Sequence, residues 1–241
     1  MNVTVAGPKV LFSLPGGIQM TETVINTWAA MAIIVLFCLW LTRNMSVRNP
    51  SKRQLAAEKL YTLLTGMVKD TMGKQSGFFV IYIGSLFAMS MTGSLLSLIG
   101  LRPPTADLSV TAAFALISFG MTQLIKIRGR GIGGWLKSFT QPVAVITPLN
   151  LISELASPIS MAFRHFGNVA SGVVISSLVY GALMAGSEKL FGWIPNQFLA
   201  SVPWLAAGIP AVLSIYFDVF TAFLQAYIIC MLTMVFAADS D

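Results

Sequence analysis

Charge is scarce in this chain, and that scarcity excludes most soluble folds. Only 10% of its 241 residues are Asp, Glu, Lys or Arg, while 56% are hydrophobic; a soluble domain typically carries about 25% charged residues. Length alone would allow one or two soluble domains. The apolar runs do not, because each is near or above the roughly 20 residues that a spanning helix needs. Cysteine is almost missing: Cys38 and Cys230 both lie inside apolar runs. They offer neither a disulfide framework nor a metal-ligand spacing, and read as small buried hydrophobes. Histidine occurs once, at His165. No zinc motif, haem site or nucleophile–base pair is visible, and no cofactor is expected. Gly129-Arg-Gly-Ile-Gly-Gly134 is rich in glycine but lacks the Lys-Ser/Thr of a phosphate loop. The N-terminal stretch has Pro8, Pro15 and a Gly-Gly pair in place of a basic region followed by an apolar run, so no cleavable leader is expected. A bacterial plasma membrane fits best.

What the chain has is apolar sequence in five segments, which predicts an all-α integral membrane protein forming a single membrane domain. An external tail of residues 1–23 precedes a first span at 24–42. Residues 43–77 are polar and basic, with Leu55, Ala56, Leu60, Leu63 and Leu64 at helical spacing; this suits an amphipathic helix on the membrane surface. A helical hairpin is expected over 78–126 and a flexible loop over 127–145, the latter including the glycine-rich run. Two long segments follow, at 146–186 and 202–238. About 40 residues of helix would reach roughly 60 Å, twice the hydrocarbon thickness of roughly 30 Å. These two segments must therefore be broken, protrude or tilt steeply. Pro158, Gly167 and Gly172 permit bends in one, Pro203 and Pro210 in the other.

The net charge of +6 does not point to nucleic acid, because the basic residues sit in short loops. Arg43, Arg48, Lys52, Arg53, Lys59, Lys69 and Lys74 follow the first span, and Lys126, Arg128, Arg130 and Lys137 follow the third, against Lys9, Arg102 and Lys189 on the other side. Basic loops remain cytoplasmic. The N-terminus is therefore expected outside and the C-terminus inside, with five crossings between.

Arg164 stands out because it is a permanent cation within a long apolar run. A guanidinium at membrane depth costs from about 3 to more than 10 kcal/mol and usually marks an ion or substrate pathway. Asn168 lies four residues on and shares its helix face. Glu154 lies ten residues before, about 15 Å along a helix axis. In the last segment Asp218 and Gln225 are seven apart, two turns on one face. If Gln225 sits level with Arg164, Glu154 lies on the cytoplasmic side of the arginine and Asp218 about 10 Å outward. One acid on each side of a fixed positive charge is what two offset aqueous half-channels would require. Plainer readings exist: a snorkelling Arg164, a merely structural Asp218, an interfacial Glu154, and Asn168 and Gln225 as helix–helix hydrogen-bonding residues. His165 has no partner in sequence and reads as packed or interfacial.

Phe163-Arg-His-Phe-Gly-Asn168, preceded by Glu154-Leu-Ala-Ser-Pro-Ile-Ser160, resembles the signature of subunit a of the F-type ATP synthase. Leu224-Gln-Ala-Tyr-Ile228 and Pro103-Pro-Thr-Ala-Asp-Leu108 resemble two further elements of that family, in the right order. The resemblance spans nearly the whole chain after the tail. It implies a stator subunit, not catalytic by itself, that works with a c-subunit rotor ring, peripheral-stalk b subunits and the remaining synthase subunits, its two long tilted helices facing the ring. It implies that Arg164 draws the ion off a rotor carboxylate and blocks leakage between half-channels, and that Gln225 faces it. The chain departs from some relatives, which carry an acid nine residues after the arginine and a histidine seven before the glutamine; Val173 and Asp218 stand here. His165 stands where leucine is usual, which leaves its role open. The main alternative is a secondary transporter binding an anionic substrate at Arg164; a purely structural scaffold would have no use for Arg164 and Asp218.

Overall fold

A computed structural model describes residues 9–13, 19–73, 77–141, 143–191 and 215–238. It is almost wholly helical: α1 (Glu22–Thr42), α2 (Lys52–Met72), α3 (Gly77–Leu95), α4 (Leu108–Ser138), α5 (Thr147–Phe191) and α6 (Thr221–Ala238). Two short strands, β1 (Val10–Ser13) and β2 (Gln19–Thr21), pair antiparallel ahead of α1, with Val10 opposite Thr21. This hairpin lies in the stretch read from sequence as a plain tail. Five helices among the described residues are long and apolar enough to cross a membrane, and the protein is a multi-pass membrane protein.

The helices pack as the bilayer demands. Lipid tails are as apolar as leucine, so helices associate through small residues and hydrogen bonds rather than through hydrophobic burial. In α1 the buried positions are Thr23, Asn26 and Ala30, while Val35, Leu36, Phe37 and Leu39 point outward. Ser90 and Ser94 of α3, Thr111, Ala115, Ser118 and Thr122 of α4, and Ala222, Ala226 and Thr233 of α6 are buried in the same way. Asn26 Nδ2 donates to the Arg102 carbonyl at 2.8 Å. Replacing Asn26 with Leu leaves that bond unmade, at about 1–3 kcal/mol. The variant is expected to lower the temperature at which the detergent-solubilised assembly releases this subunit.

The turn between α3 and α4 is tightly built. Gly100 takes φ 78° to end the 3-10 turn Leu96–Ile99. Asp107 caps α4 by accepting from the Ser109 amide at 3.1 Å, and its other oxygen accepts from Thr23 Oγ1 at 3.1 Å. The Pro103–Leu108 element thus ties the hairpin to α1. At the opposite end, α2 is capped by Ser51, whose Oγ accepts from the Gln54 amide. Val68 and Met72 of α2 are buried in the core, whereas Leu55, Leu60 and Leu63 are exposed. An apolar face left open beside lysines and arginines suits the membrane interface.

Two sequence expectations need correction. Cys38, read as a small buried hydrophobe, is exposed on α1, and Cys230 alone is buried. The glycine-rich stretch is not a loop: α4 runs on to Ser138 and bends at Gly131, which takes φ 71° and ψ 166°. Glycine alone adopts that backbone without strain, so one residue supplies the bend and its neighbours stay helical.

The length expected of the fourth segment is met by an unbroken α5 of 45 residues that passes through the buried Pro158. Such a helix spans about 68 Å at 1.5 Å per residue. For the last segment, Ile215–Phe220 forms a π-helical turn leading into α6. The expected bends at Pro203 and Pro210 lie outside the described residues.

Candidate functional site

α5 and α6 place the polar residues singled out in the sequence into three groups along the bundle. At the centre, Asn168 Nδ2 donates to Gln225 Oε1 at 2.6 Å. Gln225 is only 2% exposed, and at that depth an unpaired amide would be costly. Arg164, one turn before Asn168, is exposed and makes no hydrogen bond or ion pair among the described residues. Gln225 thus bonds to Asn168, which stands one turn from the arginine along α5. The exposed positions Arg164, Asn168, Ser171, Ile175 and Leu178 repeat at the three- and four-residue spacing of one helix face.

Toward the α3–α4 turn, Asp218 sits in the π-helical segment and accepts a hydrogen bond from Ser97 Oγ at 3.2 Å. Single π turns recur at functional positions in helices. A cleft here is lined by Ser94, Ser97, Asn168, Gly172, Asp218 and Thr221. Ser94 is bonded in turn to the buried Thr105, 3.1 Å between hydroxyl oxygens.

Toward the other end, Glu154 Oε1 accepts from Lys126 Nζ at 2.8 Å and from Gln123 Nε2 at 2.5 Å. A second cleft runs inward from Glu154 past Ser157, Pro158 and Met161 to Thr233. The two clefts meet α5 at different levels, one up to Met161 and the other from Asn168 onward. Arg164 lies in the interval. On α6 the clefts are separated likewise, by residues 223–232, which include Gln225.

His165 belongs to neither cleft. It is fully buried, with Nε2 3.5 Å from Ser90 Oγ and Nδ1 without a hydrogen-bond partner among the described residues. Among the described residues no cluster of His, Cys, Asp or Glu has the makings of a metal site. Sequence reasoning counted Lys126 only as a topological charge and passed over Ser97, Gln123 and Trp135. Gln123 and Lys126 stand three apart at the end of an apolar run, and that spacing was the available signal for one polar face.

The architecture is that of a helical ion-transporting membrane subunit, with polar groups ranged at different depths along two adjacent helices. Residues 24–238 match the family model described as ATP synthase A chain, and the chain belongs to that family. The subunit a of Desulforamulus reducens ATP synthase is 33% identical over 220 residues, covering 90% of this chain and 78% of the relative. That of Moorella thermoacetica is 30% identical, covering 96% and 95%. A relative from Propionigenium modestum, named as the sodium ion specific ATP synthase subunit a, is 28% identical and covers 98% and 86%. Membership places the chain in the membrane sector of an ATP synthase, in association with other synthase subunits.

Proposed function

We propose that this chain is the stator ion channel of a rotary ATP synthase, with Arg164 as the barrier between two offset half-channels. One observation carries the reading: the clefts holding Asp218 and Glu154 reach α5 on either side of Arg164, separated by the interval from Met161 to Asn168, about 10 Å of helix. The bias of basic residues toward the Lys126 end supports a cytoplasmic location for that end. An H⁺ or Na⁺ ion enters past Asp218 and neutralises a carboxylate on the c-ring, which can then face lipid. After rotation the carboxylate returns from the other side, meets Arg164 and releases its ion toward Glu154. Each unit charge crossing 100 mV yields about 2.3 kcal/mol. The Asn168–Gln225 bond holds α5 and α6 in register beside the barrier. The ring, the b subunits of the stalk and lipid are the partners, in a bacterial plasma membrane with the C-terminus inside.

The exposed stripe on α5 supplies a test. A cysteine at Ser171 is expected to form a disulfide with one placed beside the rotor carboxylate in the assembled complex. A cysteine at Ala162, which is buried, is expected to form none. Cross-linking from Ala162 and not from Ser171 would show that another face of α5 meets the ring.

A further inference from the structure

Lys126 and Glu154 do more than pair. Outward of them lies a polar cavity of about 290 Å³, lined among others by Trp135, Ser138, Gln141, Asn150 and Ser153. Inward lies the cleft that leads past Ser157 and Met161. Lys126 and Glu154 are the two residues common to both linings. The ion pair is therefore the partition between an outer vestibule and the inner cleft. Its side chains are 17% and 26% exposed, neither sealed in the core nor free in water.

The pair is braced. Lys126 Nζ and Gln123 Nε2 both bind Oε1 of Glu154, while Oε2 accepts no hydrogen bond among the described residues. Gln123 is held in turn by Trp135, whose Nε1 donates to Gln123 Oε1 at 2.8 Å. Residues twelve apart on a straight helix stand about 18 Å apart along its axis. The bend at Gly131 brings Trp135 back within reach. Trp135 also packs edge-on against Phe139, ring centroids 5.1 Å apart.

We propose that the Lys126–Glu154 pair is a charge gate in the cytoplasmic half-channel. A translocated monovalent cation, H⁺ or Na⁺, passes by displacing the Lys126 ammonium from the carboxylate, and Trp135 acting through Gln123 is a positioning group that keeps the gate closed. The proposal rests on the half-channel reading above. Its consequence is kinetic. A cation arriving from the cytoplasm competes with a tethered ammonium for one carboxylate, so the native gate raises the concentration needed to load the channel from that side. Removing the ammonium leaves the carboxylate open to the cation.

The experiment uses inverted membrane vesicles containing the assembled complex, cytoplasmic face outward. Initial ATP-driven uptake is measured for protons over a range of external pH, and separately for radioactive sodium over a range of external NaCl; the arm that saturates identifies the ion. Lys126→Gln is expected to lower the half-saturating external cation concentration about two- to fivefold, the range an ion pair at a partly exposed site is worth. Trp135→Phe keeps the ring against Phe139 but loses the indole donor. It is expected to shift half-saturation in the same direction by less, and it decides the matter if the lysine variant fails to assemble. Half-saturation that is unchanged or raised in the assembled variants overturns the gate. Arg164→Ala, run alongside, separates the two ideas. Native uptake by that variant sinks the half-channel reading itself, whereas its inactivity together with native half-saturation in the Lys126 and Trp135 variants sinks the gate alone.

Discussion

Arg164→Ala is expected to abolish ATP-driven ion uptake by the assembled complex, because it removes the fixed charge proposed as the barrier between the half-channels, a charge that membrane depth makes too costly to keep without a function. The guanidinium is exposed on one face of α5, at the level where neither cleft reaches that helix. It carries no structural hydrogen bond among the described residues, so truncation removes charge without orphaning a partner. The complex should therefore assemble and hydrolyse ATP while failing to pump. Arg164→Lys is not expected to restore pumping, because lysine can shed its proton in a low-dielectric setting and arginine cannot. Uptake in vesicles, measured with and without Na⁺, checks both points, and dependence on Na⁺ would name the ion. Uptake at the native level in the alanine variant would mean that Arg164 is structural and the barrier lies elsewhere.

The second large effect is expected at Asp218. Asp218→Asn preserves an oxygen that accepts from Ser97 Oγ and preserves the volume of the side chain, so the π-helical turn and the cleft should survive. What disappears is the carboxylate proposed to attract a cation into the outer half-channel. A cation beside a lone carboxylate near a protein surface gains about 4 kcal/mol at 4 Å with an effective dielectric constant of 20. Even a third of that is worth tenfold in ion occupancy. Ion-driven ATP synthesis is expected to fall about tenfold or more, while ATP hydrolysis by the complex detached from the membrane is unchanged. Synthesis at the native rate in Asp218→Asn would remove this carboxylate from the pathway.

The contrast between Arg164 and His165 shows how far the sequence alone reaches. Both are polar residues in the same apolar run, and both invite a role in transport. The sequence marks Arg164 as a permanent charge in an apolar run, and the structure leaves it exposed on α5, since such a charge cannot be packed into a dry core without a partner. His165 is adjacent in sequence but fully buried against Ser90. About 100° of helical rotation separates neighbouring residues, and which of the two faces the core depends on where α3 lies. Nothing local to the Phe163–Asn168 motif contains that information. Glu154 makes the same point: its place near one end of α5 was legible, its partner 28 residues away was not.

Hydropathy and the bias of basic residues are additive along a chain, and the bilayer responds to each stretch separately. For that reason the sequence by itself determined the helical membrane class, the five apolar segments and the excess length of the fourth. Long-range pairings obey no such additivity. The Asn168–Gln225 bond, the separation of the two clefts around Arg164 and the Lys126–Glu154 partition join residues on different helices, and they exist because packing brings those faces together. The bend at Gly131 is the clearest case. Its glycine was visible in the sequence, but only the tertiary structure shows Trp135 carried back to Gln123. A permissive backbone position states that the chain can turn, and the side chains it must reach decide where.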